Sequence, residues 1–87
     1  MYFVWFDGDR RRGSHLKLAD AIGAYQDKFG RSPAICLASD QDARDIMSHA
    51  RRPAIAIRAA DFISPNTYYL GADAELDAAD ALRTRAA

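Results

Sequence analysis

Eighty-seven residues, 49% hydrophobic and 10% aromatic, are enough for one globular core and too few for two. Twelve basic side chains cancel twelve acidic ones, which argues against a chain whose whole field is built to hold nucleic acid, although the arginines cluster locally. A single cysteine, Cys36, excludes an internal disulfide and, with two histidines, a structural zinc site.

Tyr2 to Phe6 are apolar without a break, as in a central strand buried on both faces. Gly8 and Gly13 bracket a turn, and Ser14 reads as a helix cap. Leu18, Ile22, Tyr25 and Phe29 recur at helical spacing on one face, with Gly23 inside at a cost of about 1 kcal/mol relative to alanine. Gly30 stops this helix and Pro33 prevents a restart. "AICLA", Ala34 to Ala38, is a second strand in which Cys36 is a small buried hydrophobe. Ser39 caps a second helix with Asp42 in its first turn, and Ala43, Ile46, Met47 and Ala50 form its apolar stripe. Pro53 ends it. "AIAIRA", Ala54 to Ala59, is a third strand, and "ADFISPN" a loop whose strongest breaker is Ser64-Pro65-Asn66. "TYYL", Thr67 to Leu70, is a fourth strand closed by Gly71. From Asp73 the chain turns alanine-rich, acids first and Arg83 and Arg85 last, an order that complements a helix dipole. Residues 1–71 are thus expected to form one domain, and 72–87 an alanine-rich C-terminal helix or tail.

The order βαβαββα predicts an α/β fold: a small, mostly parallel sheet of about four strands, the last an antiparallel edge, with helices packed on the sheet. "MYFVWF" lacks the basic leader of a secretory signal, and no run approaches the roughly 18 apolar residues of a membrane span, so a soluble cytoplasmic protein is expected.

Ligands of open parallel sheets gather beyond the carboxyl ends of the strands. That rim would hold Asp7 and Asp9 after the first strand, Ser39, Asp40 and Asp42 after the second, and Arg58 and Asp61 after the third. With the first two strands as neighbours, Asp7, Asp9 and Asp40 would supply hard oxygen ligands for Mg2+, the machinery of phosphoryl transfer. The plainer account is that Asp7 and Asp9 satisfy turn amides and flank a helix start. Arg10, Arg11, Arg12, Arg51 and Arg52 are the candidate phosphate or nucleic-acid contacts, although the last two also complement a helix C-terminus. His15 and His49 read as surface or capping residues. Neighbouring strand residues face opposite ways, so either Tyr68 or Tyr69 points away from the core. Beside Phe62 that pair makes a candidate partner surface.

An apolar strand followed by Asp7-x-Asp9 resembles the first motif of haloacid-dehalogenase-type phosphatases, where the first acid is the nucleophile. The threonine of that motif is absent here and arginines follow instead. "FDGDRRRGSHLKLADAI" is similar in layout to the opening of small ferredoxin-like CRISPR-adaptation proteins, but "RSPAICLASDQD" departs from their second strand. The broadest resemblance is to small bacterial α/β proteins of unassigned role. It rests on Trp5 to Asp7, "KFGRSP" (Lys28 to Pro33), and Pro65-Asn66 followed by Tyr68, Tyr69 and Gly71, and implies a fold without an activity.

The leading expectation is a non-enzymatic protein-binding or regulatory module, needing no cofactor, whose partner is another protein or a second copy. The alternative is a Mg2+-dependent phosphoryl-transfer or nuclease enzyme using Asp7, Asp9 and Asp40. A third expectation is nucleic-acid binding through the arginine clusters.

Overall fold

The computed structural model describes residues 2–72. The expected C-terminal helix or tail, from Asp73 on, lies outside the described residues. The chain forms β1 (Phe3–Phe6), α1 (Ser14–Phe29), β2 (Ile35–Ala38), α2 (Asp40–Ser48), β3 (Ala56–Ala59) and β4 (Thr67–Gly71). Gly30 ends α1 in the left-handed conformation (φ 71°), its N–H donating to Gln26 O at 2.8 Å. Ser39 caps α2, its Oγ accepting from the Asp42 N–H at 3.2 Å. Ser14 does not cap α1: Gly13 holds that position, and Ser14, already helical, turns its hydroxyl elsewhere.

The four strands form one mixed sheet in the order β1-β4-β2-β3. β4 runs antiparallel to both β1 and β2, while β2 and β3 are parallel. The expected strand arrangement is corrected. The sheet is mixed rather than mostly parallel, and β4 is an interior strand rather than an antiparallel edge. β1 and β2 do point the same way, but β4 separates them. The side chains explain the placement. All four residues of β2 are buried, and its helix-facing residues, Cys36 and Ala38, are small enough for helices to pack close. β1 alternates half-buried and exposed, with Val4 52% and Phe6 68% exposed. Its aromatic sequence belongs to an edge rather than to the centre.

Both helices pack on one face. Leu18, Ala21 and Tyr25 of α1 and Ala43 and Ile46 of α2 meet Cys36, Ala38, Ile57, Tyr68 and Leu70, with Phe3 and Trp5 against them. The opposite face has its own smaller cluster, where Ile35 and Leu37 meet Ala60 and Ile63 with Tyr2 and Tyr69 alongside. Among the described residues no helix is long and apolar enough to cross a membrane.

Candidate functional site

The rim where the acids were expected to meet is occupied by the approach to β4. Asn66 adopts a left-handed conformation (φ 67°), which asparagine tolerates better than most residues. Its carbonyl accepts from the Asp7 N–H at 3.0 Å, its own N–H donates to Asp42 Oδ2 at 2.7 Å, and its Oδ1 accepts from Lys17 Nζ at 2.9 Å. Asp42 also accepts from Ser14 Oγ and Ser39 Oγ, both at 2.9 Å. Ser14, Lys17, Ser39 and Asp42 are all buried. This network ties the starts of both helices to the start of β4. Its hydrogen bonds run between its own members, as in a structural clamp. Tyr68 lies beside it, fully buried, with its hydroxyl outside hydrogen-bond geometry. Burial pushes the phenol up to about 12, against a lowering influence from Ser14, with nearby Asp42 adding to the rise. Burial likewise pushes the Cys36 thiol up to about 12, with Asp42 contributing, so this cysteine is an inert core residue.

The sequence-derived candidates separate accordingly. Asp7 Oδ1 accepts from the Asp9 N–H at 2.9 Å, and Asp9 Oδ1 from the N–H and Nε of Arg11 at 2.9 and 3.2 Å. The Arg11 amide first, and then its side chain, hold the Asp9 carboxyl below its ordinary range. Asp40 pairs with Arg44 at 2.6 Å on the surface of α2. Among the described residues no three His, Cys, Asp or Glu side chains form a group able to hold a metal, so Asp7, Asp9 and Asp40 are not brought together as ligands. The expected juxtaposition fails because β4 lies between their strands, a separation of about 9.5 Å for two strand spacings. Arg12 meets Asp20 at 2.6 Å, and Arg52 Nη1 caps α2 through Met47 O at 3.1 Å and His49 O at 3.4 Å. Arg10 and Arg51 are exposed. The His15 and His49 rings stack with centroids 3.5 Å apart, bringing the start of α1 to the end of α2.

Of the candidate partner surface, Tyr68 is removed by its complete burial. Tyr69 faces the other side of the sheet, where it meets Phe62 edge-on at 6.2 Å and Tyr2 at 5.9 Å. Opposite Tyr69 in the register stands Val4. That continuity leads to a feature the sequence reading missed: the outer edge of β1.

In an antiparallel ladder, bonded and non-bonded pairs alternate. The Asp7–Asn66 hydrogen bond makes Trp5–Tyr68 and Phe3–Leu70 the bonded pairs, since they stand two and four residues along the same register. Val4 and Phe6 therefore turn their N–H and C=O groups away from β4, toward the edge, and theirs are also the exposed side chains. Edge strands are usually guarded by a charge, a proline or a bulge. β1 has none of these: its four residues are apolar and its register is unbroken. The other edge, β3, carries Arg58. Beside β1 an open groove of about 530 Å³ wraps the edge, with Phe3, Tyr25, Phe29, Lys28 and Arg31 on its helix side and Tyr2 and Val4 on the other. Phe3 meets Tyr25 and Phe29 edge-on at 5.9 and 6.1 Å, and Lys28 Nζ sits 5.7 and 5.6 Å above the Phe3 and Phe29 rings.

Comparison of the chain with protein-family models, with curated proteins and with solved structures finds no match in any of the three.

Proposed function

We propose that this chain is a non-enzymatic protein-binding module that takes up an extended segment of its partner as an added strand along β1. The observation that carries the reading is the outer edge at Val4 and Phe6, unguarded among the described residues, where exposed apolar side chains coincide with outward backbone donors and acceptors. Strand addition gains affinity from main-chain hydrogen bonds and specificity from alternate side chains. A four-residue edge buries less than the roughly 1,200 Å² of a stable complex, so the partner is held transiently.

The test is Val4→Pro. Proline removes the outward N–H, which β4 does not use, and edge strands tolerate it. In a two-dimensional NMR titration with an eight-residue peptide of alternating valine and glutamine, amide shifts are expected along β1 in the parent protein and not in the variant. Equal binding by a folded Val4→Pro protein would contradict strand addition.

A second reading, nucleic-acid binding, is favoured by the His15–His49 stack. Arg10 to Arg12 precede α1 and Arg51 and Arg52 follow α2, so the stack gathers both groups at one end of the helix layer. Support would come from affinity that falls with salt, with a logarithmic slope of about −0.9 per phosphate neutralised, and that drops in Arg10→Ala/Arg51→Ala. Salt-independent binding would count against it.

A further inference from the structure

We infer that the segment added at β1 carries carboxylates at every second residue, on the side facing α1, and β-branched apolar side chains on the other. The inference rests on the strand-addition reading and deepens it. Side chains of an added strand alternate between the two sides of the sheet. On the α1 side they enter the groove, whose lining among the described residues includes two cations, Lys28 and Arg31, and no carboxylate. Two full positive charges outweigh the fractional negative end of the α1 dipole, roughly half a charge. Lys28 is held over Phe3 and Phe29, so its ammonium is positioned at the groove floor before any ligand arrives. On the opposite side the added residues would meet Val4 and Phe6, which suit valine or isoleucine as cross-strand neighbours. A second copy of this chain fits less well. Pairing β1 with itself would bring two more cations to the same join, with no acid among the described residues of the groove to meet them.

Fluorescence anisotropy with two eight-residue peptides tests this, one alternating valine with glutamate and the other valine with glutamine. The glutamate peptide is expected to bind about five-fold tighter in 50 mM salt, as two exposed charge pairs allow, and the preference to shrink in 0.5 M salt. Arg31→Glu, which lies beyond α1 and leaves the helix intact, is expected to abolish most of the preference, and Lys28→Gln to lower it. Equal affinity for the two peptides would overturn the inference while leaving strand addition standing. Binding of neither would overturn both. A dimer of the protein alone that Val4→Pro disperses would identify a second copy as the occupant, and would also overturn the inference.

Discussion

Removing the Asp42 carboxylate is expected to be the most damaging single change to the polar clamp. Asp42 accepts three hydrogen bonds, from Ser14 Oγ, Ser39 Oγ and the Asn66 N–H, at 2.9, 2.9 and 2.7 Å. A hydrogen bond to a charged group contributes about 1.5–3 kcal/mol, and Asp42→Ala leaves three donors to find water through a nearly closed surface. Because the three act on one acceptor they are not additive, and a net loss of about 4 kcal/mol is the reasonable expectation. Against a total of about 4–13 kcal/mol for a domain of 87 residues, that loss is large enough to bring the fold to its limit. Asp42→Asn behaves differently. Its carbonyl can still accept from Asn66 and Ser39, while its amide can donate to Ser14, so only charge assistance is lost, about 1–2 kcal/mol. Asp40→Ala is the control. Its partner Arg44 is exposed, and loss of the pair together with a helix-dipole contact costs under about 1 kcal/mol. Urea unfolding followed by circular dichroism measures all three. Equal midpoints for Asp42→Ala and Asp40→Ala would refute the argument that this network holds the two helices to β4.

At Asn66, Asn66→Gly relieves the left-handed backbone and loses only the Lys17 contact, whereas Asn66→Val adds about 1–2 kcal/mol of backbone strain. Urea midpoints should rank Asn66→Gly above Asn66→Val, and identical values would contradict the conformational argument. The buried Cys36 thiol and Tyr68 phenol stay protonated in the fold up to about 12, above their ordinary 9.0 and 10.0, so the unfolded chain releases these protons first. Stability should be intact below about pH 9 and fall as pH rises toward 12, at up to about 2.7 kcal/mol per pH unit when both groups contribute. Tyr68→Phe should halve that slope at little cost near neutrality, because among the described residues its hydroxyl has no partner within hydrogen-bond geometry. A flat alkaline profile in the parent protein would contradict this burial argument.

The elements themselves were legible because their signals are local. Leu18, Tyr25 and Gly30 mark α1, Ser39 and Asp42 mark the start of α2, and Pro65-Asn66 marks the turn into β4. Strand order was not legible, because it depends on which strands lie nearest the helices. "YFVWF" is as apolar as a central strand. The physical clue lay in the small Cys36 and Ala38, which let helices approach β2, against the large Phe3 and Trp5, which fit a margin. The acidic rim failed for the same reason: inserting β4 puts Asn66 between the ends of β1 and β2 and commits Asp42 to internal bonds. Of the surface aromatics, alternation established that one tyrosine of the Tyr68–Tyr69 pair must face outward, but only the register chose Tyr69. The exposed edge at Val4 and Phe6 left no mark in the sequence beyond apolarity shared with the core.

Amide hydrogen exchange at single-residue resolution tests the central claim most directly. With saturating valine–glutamate peptide, the outward amides of Val4 and Phe6 should slow at least about ten-fold, while those of Phe3 and Trp5, already bonded to β4, should change little. Unchanged exchange at Val4 and Phe6, with protection appearing instead along Ala56–Ala59, would place the binding edge on the wrong side of the sheet.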